Sequence, residues 1–391
     1  MQATQIPDVT LELPAILAAA RAKAVQQDFG DDDFLQPLQA LLHSLNEEAA
    51  LSRAGRFGQF TRIVELLANR LLVEHWIQRH PQILEEQIVA PVVIVGLMRT
   101  GTTLLHRLLA CDKRFLAPLW YETRYPAPAP DHDFSGDDSR IPLAQEEVRQ
   151  MLAASPGLSA IHPLEACAAD EDVMLLEHSF YSTVPESFAH LPGYARWLNE
   201  HDNTPGYRYL YRLLQFLQWQ KRRQGLSGER WLLKTPHHLH HLEILLAVFP
   251  GATVIMTHRD PLQTIPSLCS MNYALGKMGS DAIDPVVLGR HWSDKFANSL
   301  RRALQVRAGN PAQFIDVQYS DTARRPLPAV EGIYARLAMS PDRDTRRAMA
   351  QWLADNRRDD RAPHHYTLEQ FGFNREGLAR DFAEYRRAFV D

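Results

Sequence analysis

The sequence predicts an α/β fold of three layers around a central parallel sheet, and three observations carry that expectation. The stretch "VVIVGLMRTGTTLLHRLL" (92–109) begins as an apolar β-branched run, turns at a glycine and leaves as an amphipathic helix. The stretch "RWLLKTPHHLHHLEILLAVFPGATVIMTHRDPLQTIPSLCSM" reads strand, helix, strand, helix. Two strands joined that way need a crossover connection, which means a parallel sheet with right-handed crossovers. Residues 11–84, as in "FTRIVELLANRLLVEHWI", place apolar residues every three or four positions, the period of helices packed on one side.

In chain order, residues 1–88 form an N-terminal helical extension, interrupted near Gly30-Asp31-Asp32-Asp33. Residues 89–391 form the α/β unit, with a lid or substrate insertion at about 118–225. Its first strand covers 91–96. The stretch 118–142, centred on "YPAPAPDHDFSGDDSR", is rich in proline, which removes backbone donors and fixes φ; it is expected to be a long surface loop or lid. Helices are expected at 144–153, 165–181 and 207–224, a strand at 231–233, a helix at 237–249 and a strand at 253–257 with a helix behind it. A last strand at 313–317 precedes helices at 329–338 and 342–356. No internal repeat is visible.

With 391 residues, 45% of them hydrophobic, the chain can bury a sizeable core. A net charge of −5 argues against a nucleic-acid or anionic-membrane partner, which demands a cationic face. Three scattered cysteines (Cys111, Cys167, Cys269) form neither a disulfide framework nor a CxxC site, and are read as buried thiols in a reducing compartment. The N-terminus has Asp8 and Glu12 where a secretory signal avoids acid, so a cytoplasmic protein is expected. The longest apolar run is about half of the ~20 residues a membrane span needs, so no stable membrane insertion is expected. A homodimer stays open, with the N-terminal helices as one interface.

Gly96-x-x-x-x-Gly101-Thr102-Thr103 has the glycine spacing of a nucleotide triphosphatase loop, but Thr102 stands where that loop has lysine. Such a P-loop-like turn lies at the carboxyl end of a strand, where backbone amides and a helix N-terminus favour an anion. Arg99 lies inside the loop and can supply the missing cation. "THRDPLQTIPS" places Arg259 just past another strand tip and Ser267 two helical turns on, a guanidinium and a hydroxyl suited to a second phosphate. "LLKTPHHLHHLE" places Lys234 and four histidines at a strand end. Histidine can take a proton from an alcohol and lysine can stabilise charge on a transferring group. His237 and His241, one turn apart, suggest a metal pair, but no acid completes an HExxH pattern and no metal is expected. His240 and His241 are read as helix-surface residues.

These three segments, in this order, resemble the sulfotransferases that use 3′-phosphoadenosine-5′-phosphosulfate (PAPS), and more closely a bacterial branch with "GLxRTGTT", "LKxPHHL" and "THRDP" signatures. The resemblance implies that Arg99, Thr100, Gly101, Thr102 and Thr103 cradle the 5′-phosphosulfate, without lysine or magnesium. It implies that Arg259 and Ser267 bind the 3′-phosphate, and that Lys234 stands beside the catalytic base. His237 falls close to that base, but the intervening proline leaves His238, or a carboxylate among Glu165, Glu171 and Glu177, as alternatives. "RRDDRAPHHYTLEQFGF" resembles the segment that closes over the nucleotide, with Arg361 as its closing residue and Ala362-Pro363 where the family has glycine. The implied activity is transfer of the sulfuryl group of PAPS to the hydroxyl of a small, partly apolar acceptor. That acceptor is expected to enter under 118–138, past Trp120, Tyr121, Phe180 and Tyr181. A small-molecule kinase would share loop and fold but should carry the lysine at position 102; a non-catalytic nucleotide-binding scaffold would have no need of Lys234 and His237.

Overall fold

A computed structural model of the chain describes residues 6–154, 163–356 and 366–391. Five strands form one sheet in the order β2-β3-β1-β4-β5, every neighbouring pair parallel: β1 (Val92–Gly96), β2 (Phe115–Leu116), β3 (Arg230–Lys234), β4 (Thr253–His258) and β5 (Phe314–Gln318). Val92 to Val95 are all 0% exposed, the signature of a strand covered on both faces.

On one face Val93, Val95, Leu233, Val254 and Met256 pack against helices Thr204–Arg223, Leu242–Val248, Pro261–Gly276 and Pro285–Gly309. On the other, Val92, Ile94, Leu232, Ile255 and Ile315 pack against Thr102–Leu109, Pro326–Arg336 and Arg343–Asp355. This is the expected three-layer α/β fold. Ahead of it, helices Leu13–Ala24, Leu35–Glu47 and Arg53–Arg79 share a second core with Phe180, Tyr194 and Leu198. The long third helix belongs to both cores, giving Leu67 and Leu71 to the second and Trp76 and Ile77 to the first.

Several expectations are corrected. The single helix expected over 165–181 is instead a turn, an antiparallel bridge of Ala169 to Leu119, a short helix Val173–Leu176 and a 3-10 turn Glu177–Ser179. The carbonyls of Ala166 and Ala168 accept from the amides of Tyr121 and Trp120, so they are drawn away from a helical ladder. Residues 237–249 are a 3-10 turn, Pro236–His240, followed by a helix from Leu242. Within 118–142, residues 129–137 are an irregular and mostly exposed loop, whereas 120–128 is anchored. Trp120, Tyr121 and Ala127 are buried, Lys221 makes a buried ion pair with Glu122 at 2.6 Å, and the Trp76 indole donates to Pro128 O at 3.0 Å. Of the cysteines, Cys269 is buried but Cys167 is exposed. The 25-residue helix Pro285–Gly309 and the short β2 were not anticipated. Among the described residues, no helix is long and apolar enough to cross a membrane.

Candidate functional site

The strand ends build the site. β1 stops at Gly96, in register with Thr257 of β4. A methyl group on Gly96 would lie 2.1 Å from Thr257 Oγ1, so only glycine lets the two strands close here. The turn that follows holds Arg99 at φ 67° and Gly101 at φ 81°, both left-handed, and Gly101 precedes helix Thr102–Leu109. The first amides of that helix have no partner within it, which is the usual basis of an anion site.

Thr100 lies in the turn with its side chain turned inward. It is 0% exposed, its hydroxyl donates to Leu97 O at 2.6 Å, and it lies 2.7 Å from Thr257 Oγ1. That hydroxyl therefore ties the loop to β4 and does not face a ligand. Arg99 is exposed, Thr103 is half-buried and Thr102 is 7% exposed.

The second phosphate group of residues meets the same loop. Arg259 Nη1 donates to Arg99 O at 2.7 Å, Nε to Gln263 Oε1 at 3.2 Å, and the guanidinium lies 4.2 Å from the centre of the Tyr319 ring. Tyr319 stands at the end of β5, and a methyl on Gly101 would come within 3.1 Å of its ring. Loop, Arg259 and Tyr319 thus lie against one another. Sequence reasoning missed Tyr319, whose only local signal is its place just after a strand. Ser267 lies on the helix that Asp260 caps by accepting from Leu262 N, and is 9% exposed. The C-terminal helix Ala383–Phe389 buttresses this corner: Tyr385 OH is 3.0 Å from His258 Nδ1, Phe389 stacks on the His258 ring at 3.8 Å, and Arg386 Nε is 3.2 Å from Asp260 Oδ1. Arg361 lies outside the described residues.

β3 ends at Lys234, paired with Ile94 of β1 two residues before Gly96. Its ammonium is 1% exposed and donates to Glu171 Oε1 at 2.6 Å, while its amide donates to Asp172 Oδ1 at 2.8 Å. Among the three acids proposed from the sequence, only Glu171 reaches Lys234. Glu177 is buried and held by both Arg62 nitrogens at 2.7 Å, and Glu165 pairs with Arg107.

The histidines separate by partner. His238 has both ring nitrogens engaged: Nε2 lies 2.8 Å from Asp172 Oδ2 and Nδ1 2.9 Å from Tyr207 OH, all three residues being 0% exposed. Both of its ring nitrogens are thus engaged within the protein. Asp172 is held below its ordinary value: burial raises it, but the His238 contact and the Lys234 amide more than offset that. His237 Nδ1 is 3.1 Å from Thr183 Oγ1, whereas its buried Nε2 has no partner. Burial, followed by His241, His240, His238 and Lys295, pushes its proton affinity far below the ordinary histidine value, so it stays neutral. His240 and His241 are buried at 7% and 9% exposed, not on the surface; His240 contacts Ser299 Oγ. Among the described residues no group of three histidine, cysteine or acidic side chains could hold a metal ion, and His237 with His241 does not form one. The aromatic entrance is corrected too: Trp120, Tyr121, Phe180 and Tyr181 are 5%, 4%, 1% and 6% exposed and serve as core.

Set against known proteins, residues 91–344 match the model of the Sulfotransferase family. The chain belongs to the sulfotransferase family. It is similar in structure to the sulfotransferase STF1 of Mycobacterium tuberculosis H37Rv, with 30% identity, a TM-score of 0.84, and 96% of this chain and 99% of that one covered. The sulfotransferase STF9 of Mycobacterium avium has 27% identity and a TM-score of 0.88, with 98% of each chain covered. In sequence it is 28% identical, over 303 residues, to the omega-hydroxy-beta-dihydromenaquinone-9 sulfotransferase Stf3 of Mycobacterium bovis, covering 73% of this chain and 72% of that one. In this sulfotransferase the loop, Arg259 and Tyr319 gather at the ends of β1, β4 and β5, and Lys234 with Glu171 at the end of the neighbouring β3.

Proposed function

We propose that the chain transfers the sulfuryl group of PAPS to a hydroxyl of a small, partly apolar acceptor, with Glu171 as the base. The observation that supports this reading best is the Lys234–Glu171 pair one strand away from the loop: a cation to meet a transferring anion, and a carboxylate 21% exposed in its side chain to meet an alcohol. His237 is neutral and buried, and making an imidazolium there would cost the desolvation that keeps it neutral. It serves better as a hydrogen-bond acceptor from the substrate than as the base.

The loop amides and Arg99 hold the 5′-phosphosulfate, while Arg259, Ser267 and Arg361 read the 3′-phosphate. The acceptor oxygen attacks sulfur in line with the bridging oxygen of the phosphosulfate. The new O–S bond forms as the old S–O bond breaks, and Glu171 takes the hydroxyl proton. Lys234 and Arg99 stabilise the charge on the sulfuryl oxygens and the departing phosphate, so catalysis is positioning plus electrostatics. The products are a sulfate ester and adenosine 3′,5′-bisphosphate. That the mycobacterial relative is an omega-hydroxy-beta-dihydromenaquinone-9 sulfotransferase supports an acceptor of partly apolar character here.

The test is thermal stabilisation by adenosine 3′,5′-bisphosphate against ADP and against ATP with magnesium, in wild type and Arg259→Ala. Stabilisation selective for the bisphosphate and lost in the variant is expected. Equal stabilisation by ATP with magnesium would overturn the 3′-phosphate assignment and favour a kinase.

A further inference from the structure

Beside the first core lies a cavity of ≈ 170 Å³ whose wall includes Glu186, Asn272, Ile283, Leu288, His291 and Trp292. Asn272 is 1% exposed, and neither its side-chain oxygen nor its nitrogen has a partner. Leaving a carboxamide buried and unpaired costs free energy, so such a group calls for a ligand or ordered water. Beside it in the wall, Glu186 is satisfied: it holds Lys295 and lies 2.8 Å from His291 Nε2.

Shared elements link the cavity to the proposed site. Helix Val184–Phe188, which carries Glu186, begins just after Thr183, whose hydroxyl meets His237. Helix Pro285–Gly309 carries both Lys295, the partner of Glu186, and Ser299, which contacts His240 in the turn of His237. Asn272 lies on the same helix as Ser267. Its mouth is bounded by the end of the N-terminal layer, at Glu48, Ala49 and Ala50, and by Ala282 and Val287, the latter 45% exposed.

We infer that this cavity is the acceptor's specificity subsite, and that it takes a neutral, single-ring group whose polar substituent pairs with the carboxamide of Asn272. The inference rests on the sulfuryl-transfer reading for what the ligand does, but not for where it binds. Size sets the class: a cavity of about 150 Å³ accommodates benzene. Charge sets the rest, since Glu186 is already neutralised and a carboxamide offers one donor group and one acceptor without net charge. A group able to both give and accept, such as an amide, satisfies both, and a site built to hydrogen-bond rejects the analogue that cannot.

The test uses 4-hydroxybenzamide and the apolar 4-ethylphenol as probes, with the full chain saturated with adenosine 3′,5′-bisphosphate, and reads binding by calorimetry. Wild type is expected to bind the amide at least tenfold more tightly. Asn272→Leu should remove that preference, and Ala282→Trp at the exposed mouth should weaken both probes without touching a buried group. Equal binding of the two probes, a preference that survives in Asn272→Leu, or no binding of either would overturn the inference and leave a hydrated cavity. A separate titration of the bisphosphate distinguishes the two failures: loss of bisphosphate binding in wild type sinks the sulfuryl-transfer reading, whereas intact bisphosphate binding without a probe preference sinks only the subsite.

Discussion

The two walls of the candidate site are built by different means. The proposed phosphate wall is mostly backbone: a left-handed turn and a helix N-terminus, joined by an arginine side chain that donates to a carbonyl of that same turn. The acceptor wall is made of side chains from distant segments, with Glu171 and Asp172 brought to Lys234 and His238, and Thr183 to His237. The turn and the helix after it come from one continuous stretch, with Arg259 and Thr257 bracing them from the end of β4. The acceptor wall is a buried polar network, in which each group is correct only if all the others are present. A substitution in the phosphate wall should therefore act on binding in proportion to the contact it removes, while one in the acceptor wall should act on turnover or on the network as a whole.

The largest effect expected is at Glu171. Glu171→Gln keeps shape and loses the base, so kcat should fall by about 10²–10⁴, the usual range for general base catalysis, with bisphosphate affinity nearly unchanged. A variant that turns over normally would return the base to His237 and dissolve the contrast between the walls. Next, Arg259→Ala should weaken adenosine 3′,5′-bisphosphate by an amount matching the loss of charge-assisted hydrogen bonds, about 1.5–3 kcal/mol, while leaving 5′-ADP less affected. Calorimetric titration of both nucleotides checks this, and a uniform loss would mean that Arg259 serves the loop rather than a second phosphate.

A smaller effect is expected at Gly96, where the added methyl of Gly96→Ala meets Thr257 Oγ1. Overpacking of this kind costs about 1–3 kcal/mol, so the denaturation midpoint should drop and the nucleotide should bind more weakly in step. Unchanged stability would show that the strands can part without cost. The smallest effect sharpens the acceptor wall through pH. Asp172 has a folded pKa below its ordinary 3.8, so as pH falls the unfolded chain binds protons before the native one. Its stabilisation is whole above that ordinary value and is lost as pH falls through the depressed one. Asp172→Asn has no such carboxylate, and its deficit in thermal midpoint relative to wild type should shrink from pH 5 towards pH 3. A constant deficit would indicate that the carboxylate's charge contributes nothing.

Much of the phosphate wall was legible in the residues. The strand, its glycines and the helix after them follow from one continuous stretch, and Arg259 from another, because parallel strands deliver their loops to one edge. That the Thr100 hydroxyl faces β4 could not be read in advance, because a residue's side in a tight turn is not written in its spacing. Tyr319 was missed because nothing near it in sequence distinguishes it from any residue after a strand. The aromatics at 120, 121, 180 and 181 seemed to line an entrance, yet they fill cores. Composition cannot tell an apolar pocket from apolar packing.

By itself the sequence determined the α/β class, the order of the main strands and the turn that suits an anion, since β-branched runs, glycine spacing and helical period act over a few residues. Tertiary structure alone decided which carboxylate meets Lys234, why His238 is engaged while His237 keeps a bare nitrogen, and where Asn272 is left unpaired. Those outcomes depend on burial and on partners 54 to 66 positions away in the chain, as for His237 with Thr183 and His238 with Asp172. Local pattern does not encode which of several like side chains a fold will desolvate, and desolvation is what separates a base, a brace and a binding group.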